Sequence, residues 1–491
     1  MTRELVVGAF LFTLATSVWA QVPAPDPSAA EVPHGYRVEV ALKNLTYPTS
    51  VEFDRDGAMY VAEAGYSYGD PSAVPRILKV TRDGAISTVA RDGLQAPVAD
   101  LLYHDGRLYV AHRGRISVLE DGGLRDLVTG LPSEGDHHTN QMSVGPDGRI
   151  YFGQGTATNS GVVGPDNAAM GWLKQHPDLH DVQAQTIALR QRTFVSRNPL
   201  SDEDAKARTG PFQPFGEPVP DDGTVPGATK ANGTIMRMNA DGSGLEVYAW
   251  GLRNPFGLMW SGETLYASEN GFDARGSRPI ANDKEDLYEI KEGAWYGWPD
   301  FGSGVPVTDG RFKPKDGPAP TFVMAKHPPV EMPLVTFPEH SAAAKLAVNP
   351  GGFGERGELF VAFFGHMAPM TGTVPGEHGG HRVARVDPET KKVETFFSQR
   401  GHHGGGGSAG SSAQPGHGGH SGKDESMSAG PRRLLDVVFS PDGQAMSVVD
   451  FGAMVVAKQP KPFPGSGVLW RITREGTKLD GAPTDLAVPR P

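Results

Sequence analysis

Six times along 491 residues the chain runs through one device: an apolar alternation, a tight turn carrying Asp-Gly or another glycine, and a second apolar alternation. The copies read TSVEFDRDGAMYVAEAG, ADLLYHDGRLYVAHRG, NQMSVGPDGRIYFGQG, FGLMWSGETLYASENG, KLAVNPGGFGERGELFVAFFG and LDVVFSPDGQAMSVVDFG. Glycine supplies the positive φ of the turn, and a period of two on either side supplies a buried strand face. Each copy is therefore a hairpin. Weaker pairs lie between them: RILKVTRDGAISTVA, RISVLEDGGLRDLVTG, TIMRMNADGSGLEVYAWG, DLYEIKEGAWYGWP, HRVARVDPETKKVETFF and VLWRITREG. Two hairpins per repeat make a four-stranded antiparallel blade, and a blade buries both faces only between neighbours. The expected fold is all-β, a six-bladed β-propeller, with a β-sandwich bearing coincidental turns as the alternative.

One propeller domain is expected over residues 30–480, preceded by a leader over 1–20. The opening MTRELVVGAFLFTLATSVWAQ has a charged start, an apolar stretch from Leu5 to Leu14 and a Val18-x-Ala20 cleavage pattern, which reads as a secretory signal peptide. No later segment offers about 20 apolar residues in a row, so a periplasmic or secreted chain without a membrane span is expected. There is no cysteine, which excludes disulfides and the Cys-x-x-Cys-His attachment of a haem. The net charge of −11, without a basic tract, argues against nucleic acid as a partner.

Two segments break the rhythm. Residues 155–230 interrupt the third repeat with a polar insertion, in which PDLHDVQAQTIALRQRTF reads as a short helix, and such insertions tend to cap a binding face. Residues 401–430 are rich in glycine, serine and histidine and read as a disordered loop. Its His402, His403, His417 and His420 are either solvated side chains or ligands for a transition metal. A second such group, His366, Met367, Met370, His378 and His381, mixes imidazole and thioether in a way that suits copper but shows no fixed ligand spacing.

Residues just ahead of each first hairpin strand should cluster at one end of a propeller. Polar groups stand there in four repeats: Gln95, Asp136 with His137, Arg253 with Asn254, and Arg433. The plainer reading of Arg253 is a pair with a carboxylate or with carbonyls at the channel rim.

These residues carry a resemblance. GLRNPFGL at 251–258, the Asp136-His137 pair ahead of NQMSVGPDGRIY, YGWP at 296–299 and RLLDVVFSPDG at 433–443 resemble the soluble glucose/sorbosone dehydrogenases, six-bladed propellers that use pyrroloquinoline quinone (PQQ) and calcium. The likeness runs from about Gly35 to Thr473. It implies oxidation of a sugar hydroxyl or aldehyde group, with electrons passed to an external acceptor. It further implies that His137, beside Asp136, is the general base, a task that suits an imidazole. Arg253 and Asn254 would bond the quinone oxygens, Gln95 would belong to the same site, and Arg433 would hold cofactor carboxylates. Calcium would take the carbonyls of Gly271 and Phe272 and the acidic pair Glu285 and Asp286, hard oxygen ligands on a loop. The other reading of Asp283, Glu285 and Asp286 is a solvated charged turn. The chain departs from the family where Gly379 replaces a lysine, Leu435 replaces an arginine and APVADLL replaces a glycine-rich segment. A non-enzymatic propeller that binds a carbohydrate or a protein is the rival reading, since fold alone does not decide activity.

Overall fold

The computed structural model describes residues 22–489 except 68–69, 71, 121–122, 170, 202, 373–379, 402–426, 458–459 and 478–483. The leader, His378, Gly379 and the four histidines at 402, 403, 417 and 420 thus lie outside the described residues.

Each of the six hairpins forms the two inner strands of one sheet, and the six sheets are the blades of a propeller. The innermost strands are Pro48–Phe53, Val98–His104, Thr139–Val144, Pro255–Ser261, Ala343–Val348 and Leu434–Phe439. Each touches the next around the ring, and the sixth touches the first. Closure is made by the N-terminal strand Tyr36–Leu45, which pairs antiparallel with Gly467–Arg474 as an outer strand of the sixth blade. The first and last parts of the chain thereby share one sheet.

Packing follows from this geometry. Six apolar clusters fill the six gaps between neighbouring blades. Val61, Leu78 and Leu469 lie between blades six and one, and Phe360, Phe397 and Trp470 between five and six. Alternation along each strand sends side chains into the gaps on both sides, so no blade has a solvated face.

Along the axis the packing is polar. Every inner pair carries a register shift at the same height, among them Val98/Asp100, Ala343/Leu346 and Leu434/Asp436. A bulge re-aims a side chain, and these bring Lys345 between two carboxylates. Its ammonium donates to Asp100 Oδ1 at 2.6 Å, to Thr49 O at 2.9 Å and to Asp436 Oδ2 at 3.3 Å, while the lysine is 1% exposed. The channel is therefore filled by a charged knot rather than by hydrocarbon.

Two expectations are corrected. The segment 177–194 is not a helix: Ile187–Ala188 pairs with Thr224–Val225, and Ile187 and Leu189 are buried in a cluster with Phe212 and Trp298. The helices of the insertion lie upstream, at Pro165–Ala169 and Trp172–Gln175. In the fourth blade, AWYGWP does not supply the outer strand, which is Val335–Phe337. The residues between form another insertion, which shares the Phe212, Trp298, Phe312 cluster with the first. Tertiary burial of aromatic side chains overrides the local pattern in both places.

Candidate functional site

The four polar positions all lie immediately before inner strands, at the same end of the ring. GLRNP and YGWP form one structural unit there: Trp298 N donates to Gly251 O at 2.7 Å and Tyr296 N to Trp250 O at 3.0 Å. A Cβ on Gly251 would stand 2.1 Å from Trp295 Cδ1, so only glycine fits, and its φ of 74° suits that choice. Beyond this turn the N–H groups of Arg253 and Asn254 both donate to Glu269 Oε1. Glu269 ends the second strand of the same blade and thus fixes the entry of the first.

His137 is half-buried, and its Nδ1 lies 3.0 Å from Thr156 O and 3.2 Å from Thr156 Oγ1. A carbonyl can only accept, so Nδ1 carries the proton and Nε2 carries the lone pair. Burial, with the positive charges of Arg253 and Arg275, holds the imidazole well below its ordinary pKa, against an opposing pull from Asp273. The ring is therefore neutral at neutral pH and is a proton acceptor at Nε2. Asn254 is its neighbour: a Cβ on Gly155 would meet His137 Cβ at 2.4 Å and Asn254 Oδ1 at 2.6 Å. The Asn254 amide is held on both sides, accepting from Asn140 Nδ2 and donating to Asn270 Oδ1, each at 2.8 Å.

Arg253 is 4% exposed and has the partners of the plainer reading: Asp273 Oδ2 at 2.9 Å, and Asn159 through its carbonyl and its side-chain oxygen at 3.1 Å. Burial raises the Asp273 pKa, but Arg253 and Arg275 outweigh it and hold this carboxyl ionised. Arg275, absent from the sequence reading, joins Asp136, Asp166 and Asp273. No motif marks it, because its partners come from three separate segments.

Gln95 sits on the rim with its side chain exposed; its N–H donates to His112 Nδ1 at 2.9 Å. His112 Nε2 must then donate to Ser117 Oγ at 2.7 Å, and Ser117 donates to Asp126 Oδ1 at 2.7 Å. That serine proton points to the aspartate and not to the histidine, so the row is a support and not a nucleophile. Arg113 stacks beside it, 5.0 Å from the Trp172 ring and 5.9 Å from the Tyr66 ring. Arg433 is buried, with Nη1 3.4 Å from Phe364 O and 3.3 Å from His366 O. Leu435 is packed in the apolar cluster between blades five and six, so no cation of the face stands at that position. The His366 and His381 rings lie 5.9 Å apart, and Met367 Sδ is 3.6 Å from Arg433 Nη1, so this thioether already contacts a cation. His381 Nδ1 donates to Arg432 O at 2.5 Å.

Below Arg253 a cavity of about 20 Å³ is lined by Glu269, Gly271, Phe272, Asp283, Asp286 and Ser303, among others. The acidic turn is not solvated: Asp283, Glu285 and Asp286 are 3 to 4% exposed. Burial pushes Glu269 up to about 8 and Asp283 up to about 6, and raises Asp286 well above its ordinary value. Glu269 Oε2 is buried without a hydrogen-bond partner. Glu285, adjacent to Asp286 on a strand, points to the other face and accepts from Asn270 Nδ2 at 2.8 Å. The cavity thus gathers Gly271, Phe272 and Asp286 with Glu269 and Asp283, without Glu285.

Residues 220–362 match the family model described as Glucose / Sorbosone dehydrogenase. The resemblance read from the motifs is thereby shown over this segment, 143 of the 491 residues. The matched segment contains Arg253, Asn254, Gly271, Phe272, Glu285 and Asp286, while Gln95, Asp136, His137 and Arg433 lie outside it. Among curated proteins no significant sequence match is found. Among solved structures, the calcium structure of Trichoderma reesei Carbohydrate-Active Enzymes Family AA12 is similar, with a TM-score of 0.54 and 14% identity over 93% of this chain and 98% of that one. The holo form of the Pyranose Dehydrogenase PQQ domain from Coprinopsis cinerea gives 0.53 and 15%, over 92% and 98%. At such identities the likeness is one of fold. No helix among the described residues is long and apolar enough to cross a membrane.

Proposed function

We propose that this propeller is a PQQ- and calcium-dependent oxidoreductase acting on the hydroxyl or aldehyde group of an aldose or related sugar. The observation that supports it is His137, a neutral imidazole with Nδ1 engaged by Thr156 O, beside Asn254 on the face where Gln95 and Arg253 also stand. PQQ, when bound, supplies the two-electron acceptor. His137 Nε2 takes the proton of the substrate hydroxyl. Asn254 and Arg253 orient the oxygen-rich ligand, and Gln95 and Arg433 belong to its surroundings. A held guanidinium stabilises negative charge without reorganising. Cavity chemistry suits calcium: three buried carboxylates, one with an unpartnered oxygen, surround a space about the size of one ion. Glu269, Asp283 and Asp286 would be its side-chain donors, with Gly271 and Phe272 contributing backbone. The leader read from the sequence would place the enzyme in a periplasm or outside the cell. Without a haem attachment motif, electrons pass to an external acceptor.

The rival reading, a propeller that binds a carbohydrate or a protein without turnover, draws on two observations. Arg253 is already paired with Asp273, and Leu435 leaves the anionic cofactor one cation fewer. Purified protein loaded with PQQ and calcium, with dye reduction followed over a panel of aldoses, separates the two. Turnover that is lost in His137→Ala while PQQ still binds supports the enzyme. Turnover unchanged in that variant overturns the base assignment, and neither turnover nor quinone binding leaves the binding module.

A further inference from the structure

Arg275 carries an inference that rests on the reading of His137 as the base. Its Nη2 donates to Asp136 Oδ2 at 2.6 Å, its Nη1 to Asp166 Oδ2 at 2.6 Å, and its Nε to Asp273 Oδ2 at 3.1 Å. Those carboxylates belong to three pieces of chain that share no sheet. Asp136 immediately precedes His137, Asp166 opens the insertion helix Pro165–Ala169, and Asp273 lies on the loop between the second and third strands of the fourth blade and also binds Arg253. All three carboxylate side chains are 9 to 13% exposed, so each would lose its charge partner in a largely buried setting if the guanidinium were removed.

The backbone is shaped for the contact. Gly276, next to Arg275, has φ 82°, and a Cβ there would stand 2.8 Å from Asp166 Oδ2. A Cβ on Gly164 would meet Asp166 Oδ1 and Ser277 N at 2.7 Å. Two glycines thus let the helix start and the arginine loop approach closely. Asn167 adds a second tie, donating to Ala157 O at 3.2 Å and to Asp136 Oδ1 at 3.3 Å.

We propose that Arg275 is the positioning residue of this site, a single guanidinium that locks the His137 loop, the insertion helix and the fourth-blade loop into one arrangement around the imidazole. The planar fork of arginine holds its donors apart at Nε, Nη1 and Nη2 and so reaches three separated carboxylates, whereas a lysine presents its three donors from a single point. Its charge acts on the same ring. The groups facing His137 are Arg253 of the fourth blade, Arg275 and Asp273 of its loop, and His138 and Asp136 of its own loop; removing Arg275 takes one cation away and leaves Asp136 and Asp166 without theirs.

Hydrogen exchange read by mass spectrometry on the cofactor-free protein tests the lock without requiring turnover. The Asp136 and His137 N–H groups donate to Ala157 O and Thr156 O at 3.0 Å, and they report on the loop directly. Arg275→Gln is expected to speed exchange over 135–138 and over 164–169 together, with the first blade unchanged. Arg275→Lys should restore the charge but not the protection. Nitrogen NMR of His137, assigned with His137→Gln, should show its titration midpoint moving upward in Arg275→Gln and returning toward wild type in Arg275→Lys. If Arg275→Gln does not fold, Asp166→Asn removes one arm and should loosen 164–169 while 135–138 stays protected. Unchanged exchange at 135–138 in Arg275→Gln overturns the proposal, as does equal loosening of both segments in Asp166→Asn. A protein that reduces no dye but shows the exchange pattern would refute the enzyme reading and leave the lock standing.

Discussion

Replacing Lys345 by methionine keeps the length of the side chain and removes its charge from the axial knot. What remains is two carboxylates, Asp100 and Asp436, 3% and 1% exposed, facing each other with no cation. Breaking a buried pair by deleting one partner costs about 3–5 kcal/mol, because the survivor keeps its desolvation penalty. An unfolding entropy of ~2.1 cal/mol/K per residue gives about 1 kcal/mol/K for a chain of 491 residues, so the expected fall in Tm is roughly 3–5 °C. Calorimetry and urea titration measure it. Burial, together with Asp436, already pushes Asp100 up to about 6 against the pull of Lys345; without the lysine its pKa rises further. A carboxyl raised in the folded state contributes stability below its unfolded pKa and loses it as pH rises through the folded one. The deficit of Lys345→Met should therefore be largest at pH 8 and shrink toward pH 5. Adding Asp100→Asn and Asp436→Asn should recover most of the loss, since an amide oxygen still accepts from Met142 N and Val51 N. A Tm unchanged by Lys345→Met, or a deficit that grows in acid, refutes the account of the channel.

Gly155→Ala should drive His137 and Asn254 apart, lowering dye reduction far more than it lowers stability, for which overpacking costs about 1–3 kcal/mol; equal activity would show that their contact is incidental. Asp181 is fully buried, accepts from Ala157 N and Thr158 Oγ1, and is pushed up to about 7 by burial. Its folded pKa is raised, so its contribution is present below about pH 4 and is lost as pH rises through 7. A shift of about three pH units corresponds to at most about 4 kcal/mol, and Asp181→Asn should remove that slope from the urea midpoint measured between pH 5 and 8. Calcium at a hundredfold excess over its Kd should stabilise the protein by about 2.7 kcal/mol, or roughly 3 °C by the same entropy. Glu269→Gln should abolish most of that gain, and a full gain in this variant would remove Glu269 from the ion.

The ring was legible because each hairpin carries its own signal, an alternation of two and a glycine turn, and six repetitions leave few other ways to bury both faces. Its closure was not: Tyr36–Leu45 looks like any strand, and its partner Gly467–Arg474 lies over 400 residues away. Local pattern also fails where a segment is held from outside. Ile187 and Leu189 go to an aromatic cluster supplied largely by the fourth-blade segments, so the stretch read as a helix runs as irregular chain with strand only at Ile187–Ala188 and from Phe194. For the site, position in the repeat was enough to collect Gln95, His137, Arg253, Asn254 and Arg433 at one end of the ring, because the fold fixes where the start of an inner strand lies. Which way a side chain turns there was not written in any motif. Glu285 and Asp286 look like a chelating pair on paper, yet adjacent residues of a strand must face apart, and the carboxylates that share the cavity with Asp286 are Glu269 and Asp283. Arg275 shows the same limit more sharply. Its importance comes from three acids brought together by one insertion and two loops, and only the folded chain makes them neighbours.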